Sequence, residues 1–455
     1  MKPPLKLLEW LTAPRPASTP IAWLDKHTWT LGHLRHDVAR LIEHLQQQEG
    51  ERWALCFENS YLFIVALLAT LHAGKTPVIL GHSRALLLDE QRAFFDGVLS
   101  DKALEWQGPL WVVRSSMTPA SECSVFLDIR HDASIEMFTS GSTGQPKCII
   151  KSITSLDREV ELLATRFDKQ LAGCRVVASV VPMHLYGLTF RIFLPMSLSL
   201  PLHAAMLHYA EQLATLDHQH RYTFISSPAF LKRLDPCLTP PPIAMLLSAG
   251  GKLSWLEALQ TAEWLKIWPD EIYGSTETGV LAWRYRRRDD VSWQPFPGVH
   301  FTAENELFRV TSPLITDTDG LLLDDILHFD SDGRFHLMKR RGRVVKIEEK
   351  RVSLCEIEQR LLELEGICEA AALQVVRAGR QAVGVLLVLD SEARQRWQSG
   401  SHNSQILSWR RALQPWLEPV AIPRYWRIID GIPVNSMNKR VYAQLQELFH
   451  DTPRN

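Results

Sequence analysis

The chain has 455 residues, more than one ordinary core accommodates, so two or three domains are expected. Its 50 basic residues balance 51 acidic ones, which excludes the basic footprint of a nucleic-acid binder and leaves no acidic tail. Seven scattered cysteines without CxxC spacing argue against a disulfide framework or a zinc cluster, and are read as reduced, buried thiols.

The N-terminus, Met1-Lys2-Pro3-Pro4-Leu5, lacks the continuous apolar core of a signal peptide. The longest apolar run, Leu62 to Leu71, is about half the length of a membrane span. A soluble protein of the cytoplasm is expected. Ile21 to Asp25 and Thr28 to Leu31 read as a short strand pair, followed by a helix through Leu41 and Leu45. Trp53 to Phe57 reads as a buried strand, Asn59-Ser60 as the cap of a helix from Tyr61 to Gly74, and Lys75 to Leu80 as a further strand. Leu86 to Phe95 looks helical and Leu110 to Val113 extended. This alternation predicts an α/β domain with a largely parallel sheet.

Ile135 to Phe138 and Cys148 to Ile150 flank a polar loop, Thr139-Ser140-Gly141-Ser142-Thr143-Gly144-Gln145-Pro146-Lys147. Hydroxyls, backbone N–H groups freed by glycine and one lysine make an anion cradle suited to a polyphosphate. It is not a Walker A loop, because Pro146 and an apolar strand follow where that motif opens a helix. Taken alone, the loop reads equally well as a plain hairpin.

Ser155 to Phe167 is expected to be a helix, and Arg175 to Val181 a strand ending at Pro182-Met183-His184-Leu185-Tyr186-Gly187, with another helix after it. Phe224 to Pro228 ends a strand, and Ala229 to Leu234 starts a helix. Met245 to Ser248 feeds Ala249-Gly250-Gly251, and Glu271 to Tyr273 feeds Gly274-Ser275-Thr276-Glu277-Thr278-Gly279. Polar loops therefore come directly after apolar strands, which is where open α/β sheets bind ligands. From Pro295 the pattern turns β-rich, with a hairpin around Asp332-Gly333. A basic run, 339–343, precedes a small α+β unit containing a helix from Leu354 to Leu364, strands from Ala370 to Val376 and Val383 to Leu389, a helix from Gln405 to Leu417 and a tail from Pro433.

In this order, these motifs resemble the adenylate-forming enzymes, which include acyl-CoA synthetases, aryl-CoA ligases and peptide-synthetase adenylation domains. The loop at 139–147 is similar to that family's phosphate-binding signature, and Tyr273-Gly274-Ser275-Thr276-Glu277 to its second signature. The resemblance implies an α/β fold: a large N-terminal α/β domain with layered sheets and a β-rich subdomain over 1–338, a hinge at 339–343, and a small mobile α+β lid over 344–455. It implies ATP and Mg2+ as cofactors. Thr139, Ser140, Gly141, Ser142, Thr143, Gly144 and Lys147 would hold the phosphates. Thr276 would meet the AMP phosphate, and Glu277, with Thr139, the magnesium.

Ser248-Ala249-Gly250-Gly251 resembles the loop against adenine, Asp325 matches the acid that binds the ribose hydroxyls, and Arg340 matches a second ribose or phosphate contact. His184, Tyr186, Gly187, Ser227 and Ser248 would line the acid pocket, and Lys439 matches the catalytic lysine of the tail. Outside this context, Lys439 would read as a surface lysine and Arg340 as part of a solvated basic linker. Three positions depart from the family pattern: Gly342 at the usual hinge Asp, and Glu349 and Asn438 at usual glycines.

The resemblance thus implies ATP-dependent activation of a carboxylic acid to an acyl-adenylate, with acyl transfer to a phosphopantetheine thiol on CoA or on a separate acyl carrier protein. Glu349, where the family's thiol arm passes, tilts the expectation toward the carrier protein. The expected acid is aromatic, of benzoate type, or a fatty acid. The alternative is a catalytically silent AMP- or ATP-binding regulatory protein of the same fold.

Overall fold

The computed structural model describes residues 3–81, 88–89, 91–116, 126–140, 146–305, 307–340, 344–347, 350–377, 380–434, 440 and 442–450. The chain divides into two compact units, one of residues 1–300 with 310–321, the other of 301–309 with 322–455.

The first unit holds two sheets. The six-stranded sheet runs in the order Leu110–Val112, Gly97–Ser100, Arg52–Cys56, Thr76–Ile79, Ser134–Ser140, Pro146–Ser152. Its strands are parallel except the last pair, an antiparallel hairpin in which Thr139 faces Lys147. The nine-stranded sheet has a parallel centre of Arg175–Ala178, Tyr222–Ser226, Ile243–Ser248 and Asp270–Ser275. Gly279–Tyr285 returns antiparallel on Asp270–Ser275, so a tight turn carries Thr276 and Glu277.

Helices cover these sheets because their apolar spacing demands it. Ser60–His72 is buried along its whole length, and the Asn59 side chain accepts the Leu62 N–H at 3.1 Å as its cap. Ile153–Leu171 is amphipathic, capped by Ser152, and buries Leu156, Val160, Leu163 and Phe167.

The segment after His184 is not the single helix expected. It runs as an α-turn Leu185–Gly187, a π-helix Leu188–Phe193 and an α-turn Leu194–Leu198. Pro195 lacks the N–H an α-helical interior would use, and π-bulges concentrate at functional sites. Leu86 to Phe95 is also corrected: residues 82–87 and 90 lie outside the described ones, and the only helical segment longer than two residues among the described residues there is the 3-10 turn Arg92–Phe94. Burial of every cysteine is corrected as well: Cys148, Cys237 and Cys368 are exposed, while Cys56 and Cys174 are buried and none of the described cysteines is bridged. No helix among the described residues is long and apolar enough to cross a membrane.

The second unit contains an antiparallel pair, Asp325–Phe329 with Phe335–Arg340, closed by a turn where Gly333 adopts φ +80°. The rings of Phe301, Phe308, Phe329 and Phe335 cluster beside it with centroids 4.8–5.4 Å apart. Further on, Ile367–Arg377, Arg380–Leu389 and Tyr425–Ile428 form a three-stranded sheet. One face packs Val385 and Leu387 against Ile357, Leu361, Trp409 and Leu413. The other packs Leu373 and Leu386 against Leu445 and Phe449. The observed architecture is therefore mixed α/β with several sheets, as the sequence predicts.

Candidate functional site

The hairpin of Ser134–Ser140 with Pro146–Ser152 and the acidic turn meet. Lys147 Nζ lies 3.4 Å from Glu277 Oε1, with both side chains partly exposed. Thr139, opposite Lys147 across the hairpin, is half-buried. Burial pushes the Glu277 carboxyl upward, but its own backbone N–H, the Lys147 charge and the Ser275 hydroxyl outweigh it. The net effect holds Glu277 below the usual carboxylate range, so it is an anion at neutral pH.

The turn is locked from within. Ser275 N–H donates to Thr278 Oγ1 at 3.0 Å, Thr278 N–H donates to Ser275 Oγ at 3.2 Å, and the Thr278 hydroxyl donates to the Gly279 carbonyl at 2.9 Å. A Cβ at Gly274 would lie 2.2 Å from the Gly279 oxygen, so only glycine allows this approach. Thr276 sits half-buried at the crest of the turn beside Glu277.

The residues expected around the acid gather on neighbouring elements. A Cβ at Gly81, which has φ +77°, would meet His184 Cε1 at 2.7 Å, so the two elements touch there. The Tyr186 hydroxyl donates to the carbonyls of Ser226 and Leu247, at 2.9 and 3.1 Å. Burial pushes the Tyr186 phenol well above its ordinary value. A Cβ on Gly187 would lie 1.8 Å from the Val181 carbonyl oxygen. Ser226 and Ser248 stand in register at the ends of adjacent parallel strands, and Ser179 Oγ lies 2.9 Å from Ser226 Oγ. Ser248 Oγ is buried with no hydrogen-bond partner among the described residues. Ser227 occupies the N-cap position of the short helix Pro228–Leu231 and accepts the Phe230 and Leu231 N–H groups on its backbone carbonyl, Gly250 holds φ +87° after the Ser248 strand, and Tyr273 packs on Trp293 at 5.8 Å.

In the second unit, Asp325 and Arg340 are direct partners across their antiparallel strands, with Asp325 half-buried and Asp324 exposed. Gly141, Ser142, Thr143, Gly144 and Lys439 lie outside the described residues, as do Gly342, Glu349 and Asn438, and so do the side chains of Ser140 and Arg340. Lys439 is flanked by described structure: Val434 bridges Arg440, and Arg440 Nη1 lies 3.3 Å from Glu358 Oε1, which also accepts the Ala372 N–H.

Two residues escape the sequence reading. Lys151 is buried on the hairpin, and its ammonium donates to the Glu277 carbonyl oxygen at 3.1 Å. Glu159 is buried on the helix Ile153–Leu171 and accepts from Val280 N–H and the Thr189 hydroxyl, both at 2.8 Å. A signal is present in the pattern for Glu159 alone. Glu159 interrupts the apolar stripe of Leu156, Val160 and Leu163, whereas the inward face of Lys151, next to an exposed Ile150, shows only in the fold.

As a cation site, the arrangement offers one anionic hard oxygen donor, the Glu277 carboxylate, beside Lys147. Magnesium keeps several waters and is held by one or two carboxylates with substrate phosphates, so Glu277 fits it. Among the described residues no cluster of three His, Cys, Asp or Glu side chains offers an all-protein cage.

Residues 102–308 match the model of the AMP-binding enzyme family. The chain is 27% identical over 266 residues to a 4-coumarate–CoA ligase of Cereibacter sphaeroides, an alignment that covers 55% of this chain and 58% of that ligase. It is 21% identical over 345 residues to a 3,4-dihydroxybenzoate–[aryl-carrier protein] ligase of Bacillus anthracis, covering 74% of this chain and 79% of that one. Its fold superimposes on the o-succinylbenzoate CoA synthetase of Bacillus subtilis in complex with an acyl-adenylate intermediate. That match has a TM-score of 0.76 and 18% identity, and covers 98% of this chain and 99% of the other.

Proposed function

We propose, from a chain whose residues 102–308 match the AMP-binding enzyme family, that this protein is an acid–thiol ligase of the AMP-forming type. It activates a carboxylic acid with ATP to an acyl-adenylate, releases pyrophosphate, and passes the acyl group to a phosphopantetheine thiol. The observation that carries this reading is the meeting of Lys147 with Glu277. It joins a cation from the phosphate hairpin to an anion from the turn beside Thr276.

Carboxylate and ATP are both anions, so the first step needs positive charge and fixed donors where they approach. In this reading Lys147 and the loop at 139–145 hold the β and γ phosphates, and Lys147 exchanges Glu277 for phosphate oxygens when ATP enters. Thr276 donates to the α-phosphate. Glu277, once freed, would hold the magnesium accompanying ATP, an ion that would screen the phosphate charge. Asp325 accepts from the ribose hydroxyls, with Arg340 opposite it. Lys439 bridges the acid and the α-phosphate, so the carboxylate oxygen attacks phosphorus and pyrophosphate leaves in line. His184, Tyr186, Gly187, Ser227 and Ser248 line the acid pocket, and Gly250 lies against the adenine. Residues 1–338 act as the adenylation core and 344–455 as a lid, with the basic run 339–343 as the hinge.

The acceptor is a separate carrier protein in preference to CoA, and the acid is aromatic. Support comes from Glu349, which replaces the glycine that the family resemblance implies beside the thiol arm, and from likeness to an aryl-carrier-protein ligase. The test incubates the protein with ATP, an aromatic and fatty acid panel, and either CoA or a phosphopantetheinylated carrier, and reads thioester by mass spectrometry. Thioester on the carrier with an aryl acid is the expected result. ATP binding without AMP formation from any acid would replace this reading with the silent regulatory one.

A further inference from the structure

We propose that Glu159 and Lys151 are positioning residues that fix the Thr276–Glu277 turn and tie it to the acid side of the site. The inference rests on the ligase reading for what the turn does, and on buried contacts for how it is held.

Glu159 spends its two oxygens on two different elements. Oε1 accepts the backbone N–H of Val280, at the foot of the acidic turn. Oε2 accepts the hydroxyl of Thr189, within the π-helix that comes after the His184–Gly187 segment. A Cβ at Gly279, where φ is +69°, would lie 2.8 Å from Glu159 Oε1, so the carboxylate fills the space a side chain there would occupy. Lys151 interacts electrostatically with Glu159 while its ammonium grips the carbonyl of Glu277.

A buried carboxylate without a cation is costly, and so is a buried ammonium without an anion. Burial pushes the Glu159 carboxyl up and the Lys151 ammonium down, each group partly offsets that cost for the other, and together they hold a turn whose outward face carries Thr276 and Glu277. Lys147 approaches the same glutamate from outside, on its carboxylate; Lys151 approaches from beneath, on its main chain. Only the first contact needs to break when nucleotide enters. The second keeps the backbone still while the carboxylate turns to the cation. Neither Glu159 nor Lys151 is placed against substrate, so both act through Glu277 and Thr189.

The test compares wild type with Glu159→Gln, Lys151→Met, Lys151→Arg and Thr189→Val. Two quantities are read: the factor by which magnesium tightens ATP binding, by calorimetry, and the magnesium concentration that half-saturates ATP–pyrophosphate exchange. Glu159→Gln and Lys151→Met are each expected to cut the magnesium factor and raise the half-saturating concentration roughly tenfold, in the range for an outer-shell partner of a metal ligand. Lys151→Arg, which keeps the charge, restores most of the factor. Thr189→Val is expected to raise the KM for the acid and leave the magnesium factor unchanged. Hydrogen exchange at the Val280 amide speeds up in Glu159→Gln but not in Thr189→Val.

If Glu159→Gln fails to fold, Lys151→Met and Thr189→Val decide alone. A magnesium factor equal to wild type in folded Lys151→Met overturns the inference, as does a uniform loss in kcat with no magnesium dependence. If wild type exchanges with no acid, the ligase reading falls, and the inference is judged on magnesium-linked ATP binding alone. A wild type without such linkage overturns it.

Discussion

Lys147 Nζ lies 3.4 Å from Glu277 Oε1 and joins two loops 130 residues apart in the chain. The lysine side chain is 59% exposed and the glutamate 34%, so the pair adds little to folding, about 0–1 kcal/mol. Its value lies in what each partner meets once they part. Lys147→Met is expected to lower kcat/KM for ATP about 100-fold, or about 2.7 kcal/mol, with an unchanged thermal midpoint. A steady-state titration of ATP beside a melting curve checks both.

The Tyr186 hydroxyl spans two strand ends, Ser226 and Leu247, from the segment proposed to line the acid pocket. Tyr186→Phe removes the one hydroxyl proton that the two carbonyls share, at a cost of about 1–3 kcal/mol. Denaturant unfolding should show that loss. The KM for the acid should rise while the KM for ATP holds.

Close approach at Gly187 is more demanding. A Cβ there would overlap the Val181 oxygen at 1.8 Å, so Gly187→Ala must shift the backbone of the pocket segment. The expected penalty exceeds about 3 kcal/mol, seen as a lower melting temperature or loss of soluble protein. Gly251→Ala is the control, because its new Cβ meets only Pro228 Cγ at an ordinary 3.8 Å.

Asp270, at the root of the strand that ends in the acidic turn, is buried beside Arg166 and accepts from Gln170 at 3.2 Å. Burial pushes its carboxyl up to about 7, against the opposing pull of Arg166 and Gln170. The folded form therefore binds a proton that the unfolded chain releases near pH 4. Stability from this group is fully present below that pH and is lost as pH rises toward 7, by at most about 4 kcal/mol. Asp270→Asn should flatten the fall in thermal midpoint between pH 4 and 7. An unchanged slope would show that another group carries it.

Much of the fold is legible in the sequence because local chemistry and tertiary role agree. The loop 139–147 announces itself by Ser, Thr and Gly between two apolar runs, and the hairpin with Thr139 opposite Lys147 respects that division. Asn59 reads as a cap and is one. The pairing of Asp325 with Arg340 needs only a hairpin centred on Asp332-Gly333. The π-helix at Leu188–Phe193 is not legible, because its apolar residues suit an α-helix equally well and Pro195 marks only the end of regularity. Nor are the roles of Glu159 and Lys151. A lone charged residue in an amphipathic element is usually solvated, and only the fold shows that these two face each other's elements across a buried interior.

The central claim is that this chain makes an acyl-adenylate, and acid-dependent ATP–pyrophosphate exchange measures that step alone. Wild type is expected to exchange label with at least one aromatic acid and not without acid. Lys439→Ala is expected to lose exchange by at least about 100-fold, through lost charge stabilisation of the transition state, while binding ATP nearly as tightly as wild type. Exchange at the wild-type rate in Lys439→Ala would contradict the role given to that lysine. No exchange from wild type with any acid, alongside measurable ATP binding, would contradict the claim itself.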